Sequence, residues 1–193
     1  MRRLYGDDVH EYVLPMQLNT ISMDRKTRVI TLSALFSALS VIFLYIASVW
    51  PTGRFGLVAL SSLFVAAAVC DAGILPSVYV FIVSSALGML LLPDKSAPLL
   101  YILFFGYYPV LKSLIERLEK VVIQWVLKLI VFNIALIIIL FFLRTLILGN
   151  SLNYPTPVLY AGGNIIFIVF DYGFSKVMRF YNERVSKRMK GKW

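Results

Sequence analysis

From Val29 to Phe180 the chain is a succession of apolar segments about twenty residues long, separated by short polar or proline-bearing joints. A hydrocarbon core of about 30 Å takes roughly 20 apolar residues per helical span, so this rhythm predicts about six membrane helices. The first runs from about Val29 to Trp50 and stops at Pro51, Thr52 and Gly53, a turn signal beside an interfacial tryptophan. The second, Phe55 to Cys70, is short for a full crossing and reads as a thin or a re-entrant helix ending at Asp71 and Gly73. The third covers Ile74 to Leu92, with Pro76 tolerated in its first turn. The fourth starts near Ala97 and Pro98, should kink at Pro109, and runs into a charged segment from Lys112 to Lys120 whose tail lies outside the bilayer. The fifth, Val122 to Leu148, is long enough to require tilt, and the sixth covers Val158 to Phe180.

Composition agrees with this pattern. Of 193 residues, 60% are hydrophobic and 15% charged, and the mean hydropathy is +0.81. The expected fold is therefore all-α: a polytopic integral membrane protein with six transmembrane helices in one bundle over residues 27–181. A polar cytoplasmic extension (1–26) and a basic tail (182–193) flank it. The extension has no apolar core, so it is not a secretory signal, and the basic residues after Met23 make that methionine an alternative start.

Charge sets direction. The net charge of +9 is concentrated in Arg25, Lys26 and Arg28, in Lys112, Arg117 and Lys120, and in a tail with Arg184, Lys187, Arg188, Lys190 and Lys192. Cytoplasmic flanks hold the excess of lysine and arginine, so both termini should be cytoplasmic, in a cell membrane, leaving Arg54, Lys95 and Arg144 towards the outside. An even number of spans is favoured, which supports the second. Basic residues that flank apolar spans suit anionic headgroups or an acidic protein partner better than nucleic acid.

Candidate chemistry is sparse. One cysteine, Cys70, and one histidine, His10, exclude an internal disulfide and argue against zinc or haem; no cofactor is expected. There is no phosphate-binding glycine loop, so ATP hydrolysis belongs to partners if it occurs. Asp171 is the only carboxylate well inside the spans, which disfavours an intramembrane enzyme. Lys128 and Asp171 lie at similar depth on antiparallel helices and suit an ion pair; a structural lock is preferred to a proton relay. Asn133 and Asn164 suit either interhelical hydrogen bonding or contact with a solute. Among the many aromatics, Tyr101, Phe104 and Tyr160 could stack on a planar solute. Arg54 and Arg144 could hold an anionic group, although snorkelling to headgroups is the simpler role for both.

Ala34 and Ala38 sit four apart on one face of the first helix, spacing that lets another helix approach closely. Together with the short basic segment before this helix, six spans in about 170 residues and a short outer loop, they resemble the substrate-binding S component of energy-coupling factor transporters. That resemblance covers Lys26 to Phe180, with Ala34 and Ala38 its only motif residues. It implies docking of that pair on a transmembrane T component shared with two ATPases. It also implies a vitamin or similar micronutrient bound in the outer half, where location points to Arg54, Tyr101, Asn133, Tyr160 and Asn164. The substrate signatures that would name a vitamin are missing. The competing reading is a non-catalytic membrane scaffold, similar to the small rod-shape-determining component of the cell-wall elongation machinery.

Overall fold

In a computed structural model, residues 7–143 and 156–186 are described, and every element among them is helical. The chain order is α1 (Asp7–Val49), α2 (Arg54–Asp71), α3 (Ile74–Leu91), α4 (Ser96–Leu100), α5 (Tyr108–Ile115), α6 (Val121–Leu143) and α7 (Thr156–Tyr181). The sequence predicts six spans; five helical stretches among the described residues are long and apolar enough to cross a bilayer. These are Lys26–Val49, Arg54–Asp71, Ile74–Leu91, Ser96–Ile115 and Val121–Phe141. The sixth expected span coincides with α7, which is 26 residues long but carries Asn164, Asp171, Lys176 and Arg179. Arg144, the joint at 149–155 and the tail from Lys187 onward lie outside the described residues. The backbone of the polar extension is helical from Asp7 and runs without a break into the first span.

The second segment is unbroken. Arg54–Asp71 is one continuous helix of 18 residues, about 27 Å at 1.5 Å per residue. It packs against α1, α3, α4, α5 and α7, which makes it the central element of the bundle. Small buried side chains allow this: Ser61, Ser62, Ala66, Ala67 and Ala68 face the neighbouring helices. Its junction with α3 is a tight reversal at Gly73, whose φ of +99° is open to glycine and strained for other residues. The Ala72 and Gly73 N–H groups both donate to the Ala68 carbonyl, at 2.8 and 3.0 Å, closing the end of α2.

The fourth span is broken where a proline requires it, slightly upstream of the proline itself. Pro109 has no N–H, so the carbonyl four residues earlier loses its helical partner. Between α4 and α5 the chain forms a π-helical turn over Tyr101–Phe105, in which the Gly106 N–H reaches back to the Tyr101 carbonyl at 2.7 Å. Pro109 then stands in the first turn of α5. A side chain at Gly106 would lie within 2.5 Å of the Phe81 ring and 2.8 Å of the Tyr101 ring, so the turn closes only on glycine.

The two ends of the bundle differ. One, the basic end, gathers the ends of α2, α5 and α7 and the start of α6. At the other, Ser48 near the end of α1 clasps Asp94 in the joint before α4: its hydroxyl accepts the Asp94 N–H at 3.1 Å and donates to the Asp94 carbonyl at 3.3 Å.

Candidate functional site

An apolar cavity of about 450 Å³ opens between α2, the π-helical turn, α6 and α7, in the half of the bundle away from the basic end. Phe104, Phe132 and Phe167 are buried in its wall, with Phe132 and Phe167 stacked at 4.3 Å and 12°. Phe104 meets both edge-on, with ring centroids 5.4 and 5.9 Å away. Gly56, Ala59 and Gly163 supply the space, and Phe55 and Ile166 at the rim are exposed on the side of the bundle. The volume suits a small organic ligand.

None of the five side chains singled out for solute binding is among the described lining residues, although four have a chain neighbour that is: Phe55, Leu100, Phe132 and Gly163. Each helical step turns by about 100°, so these four nominees face elsewhere. Arg54 is tied to Asp94 at 2.5 Å and donates to Ser96, rather than snorkelling or pointing at the cavity. Ser96 in turn gives its N–H and hydroxyl to the Asp94 carboxylate at 2.7–2.9 Å. Partial burial alone would raise the Asp94 pKa. The Ser96 hydrogen bonds and the Arg54 charge outweigh it and hold the carboxyl below its ordinary range.

Tyr101 is fully buried, its hydroxyl 2.9 Å from Ser84 on α3, so it stacks on nothing that enters from outside. Asn133 and Asn164 form a reciprocal amide pair between α6 and α7, at 3.0 and 3.1 Å. Their second N–H bonds go to Leu129 and Tyr160 carbonyls one turn back on their own helices, at 2.8 and 2.9 Å. Every amide N–H of the pair is thereby engaged, the geometry of an interhelical clamp. Tyr160, half-buried, contributes that carbonyl.

Towards the basic end, the structure brings Lys128 and Asp171 to 3.2 Å. The pairing is larger than the sequence indicates. Lys112, expected in a charged tail outside the bilayer, is 4% exposed and contacts the other Asp171 oxygen, which also accepts the Tyr108 hydroxyl. Glu116 reaches both ammonium groups with one oxygen, at 3.0 Å from Lys112 and 2.7 Å from Lys128. Two lysines and two carboxylates therefore balance in charge, and together they tie α5, α6 and α7. Lys112 escaped the sequence reading because it follows Pro109 by less than one helical turn and precedes a run of charges. The π-helical turn rotates that segment inward. Among the described residues no group of three His, Cys, Asp or Glu side chains is placed to hold a metal ion.

Ala34 and Ala38 are both exposed on α1, while Phe36, Ser37 and Ser40 turn into the bundle. The small-residue face is thus open on the outer surface of the helix. No protein-family model, curated protein or solved structure matches this chain.

Proposed function

We propose that this chain is the substrate-binding membrane subunit of an importer of the energy-coupling factor type. In this reading it is a six-span protein of the cell membrane, α7 being the sixth span, with both termini in the cytoplasm. It captures a small micronutrient from the outside and catalyses no reaction itself. The energy comes from a T component and two ATPases, on which Ala34 and Ala38 dock.

The observation that carries the reading is the aromatic cavity between α2, α6 and α7, in the half of the bundle away from the basic end. A binding subunit requires a space of that size between its helices. The wall of the cavity is built of phenylalanine, leucine, isoleucine and glycine, so the ligand presents a largely apolar body to it. The exposed Ala34–Ala38 face supports the docking role, because a partner helix can reach it without unpacking α1.

The test is purification of the full chain from its native membrane in mild detergent. Mass spectrometry would identify bound small molecules and co-purifying proteins. The reading expects a T component, two ATPases and one small apolar ligand. Replacing both alanines with leucine should remove the T component and keep the ligand. Wall-synthesis proteins in place of a T component, with no ligand, would refute the proposal in favour of a scaffold.

A further inference from the structure

A second cleft, of about 460 Å³, lies at the basic end, where α2, α5 and α7 finish and α6 begins. Its character is different from that of the apolar cavity. The deep part is formed by buried Ala66 and Phe174, while Arg179 and Asn182 stand exposed at its rim. Buried Lys112 forms part of one wall, its ammonium held by Asp171 and Glu116, and Glu116 lines the cleft too.

Among the charged side chains that line the cleft, Lys112 and Glu116 pair with each other, which leaves Arg179 over; Asp71, beside the lining Cys70, accepts the Tyr181 hydroxyl, and Glu183 follows the lining Asn182. Arg179 has no ion pair or hydrogen bond among the described residues. One turn earlier on α7, Lys176 lies over the Tyr172 ring and adds a further positive charge. A cleft with an apolar patch among polar walls, a guanidinium at its mouth with no partner among the described residues and a position at the helix ends matches an amphiphile whose charged group sits at headgroup depth. A guanidinium grips phosphate oxygens in a two-pronged geometry that an ammonium cannot copy.

We propose that this cleft binds the phosphate headgroup of an anionic phospholipid, with Arg179 as the phosphate ligand and the Ala66–Phe174 wall taking the glycerol-ester end of the acyl chains. The apolar wall assigns the site to a lipid rather than to free phosphate, for which that wall offers nothing. The site requires that the chain be embedded in a bilayer, and it is independent of the importer reading.

The test titrates delipidated full-length protein in neutral detergent with phosphatidylglycerol or with phosphatidylcholine of the same acyl chains, and counts bound lipids by native mass spectrometry. Phosphatidylglycerol should bind at one site with an affinity about fivefold or more above phosphatidylcholine, the ratio that about 1 kcal/mol per basic residue gives. Arg179→Gln should remove that preference. Lys26→Gln, a change to an exposed basic residue outside the cleft, should leave it intact. Equal binding of the two lipids, or an unaltered preference in Arg179→Gln, overturns the proposal. Displacement of the lipid by an equal concentration of inorganic phosphate also overturns it, in favour of a soluble anion. Release of the native protein from membranes by alkaline washing would refute the bilayer reading itself and this site with it.

Discussion

Substituting Asp171 by asparagine keeps the side chain's shape and removes its charge, leaving Lys112 and Lys128 facing each other across a buried space. Both lysine side chains are at most 6% exposed, and Asp171 is 2% exposed, so water cannot take over the lost role. At the 3.2 Å separation from Lys128, one pair contributes about 5 kcal/mol at an effective dielectric of about 20. Glu116 still touches both ammonium groups, but its side chain is 42% exposed and screened, so it offsets part of the loss. The net expectation is a destabilisation of about 3–5 kcal/mol, the usual cost of leaving a buried charge unpaired.

For a chain of this length about 2–4 °C accompanies each kcal/mol, so the melting temperature should fall by on the order of 10 °C. The assay is loss of the monodisperse detergent-solubilised peak on heating, read by size-exclusion chromatography. The triple variant Lys112→Met, Lys128→Met, Asp171→Leu should recover part of the loss, because apolar replacements remove the uncompensated charges, while the Tyr108 hydroxyl and the Glu116 carboxylate lose their partners. An Asp171→Asn melting temperature within a degree or so of the parent would refute the reasoning. So would a triple variant as unstable as the single one, since the cost would then lie elsewhere than in unpaired charge.

Two further outcomes follow from the same geometry. In a double-mutant cycle, Asn133→Ala and Asn164→Ala should show a coupling of about 0.6–2 kcal/mol in thermal stability with no ligand present; additive effects would mean that the two amides do not bond to each other. At the opposite end, the Asp94 carboxyl has a lowered pKa, so its pairing with Arg54 and Ser96 stabilises the protein fully above the unfolded value of about 3.9 and is lost as pH falls through the folded one. Because the Asp94 side chain is 37% exposed, the acid-labile part should be at most about 1 kcal/mol. Arg54→Gln should remove only part of that acid dependence, because the Ser96 N–H and hydroxyl still hold the carboxylate; no loss of stability in the parent protein below about pH 4 would mean that Asp94 is not paired in solution.

Much of the helix framework was legible along the chain. Ile74–Leu91 lies within one residue of its predicted limits, and Arg54–Asp71 within one residue at each end. Proline and glycine punctuation explains this success, because breaks in hydrogen bonding are local events. Pairing of Lys128 with Asp171 was also legible, since counting residues from the span ends gives depth. The companions Lys112, Tyr108 and Glu116 were not, because a π-helical turn decides how their segment is rotated.

Residues facing inward were the least legible. In a soluble helix the polar face marks the outside, but these helices carry leucine, isoleucine and valine on exposed as well as buried faces, so periodicity carries little of that information here. Ile139 is buried and Ile137 exposed, although they are the same residue type two positions apart on α6. The same ambiguity put four of the five residues expected to bind solute one position away from the cavity: Asn133 clamps α7 while Phe132 lines the space, and Arg54 holds Asp94 while Phe55 stands at the rim.

By itself, then, the sequence determined the helices, their breaks, the charge asymmetry between the ends and the depth of the ion pair, all of which depend on neighbours along the chain. Tertiary packing alone decided the helix rotations, the central place of α2, the recruitment of Lys112 and the two clefts. Those depend on which apolar surface meets another helix, and apolar side chains of equal hydrophobicity stand both inside the bundle and on its outside.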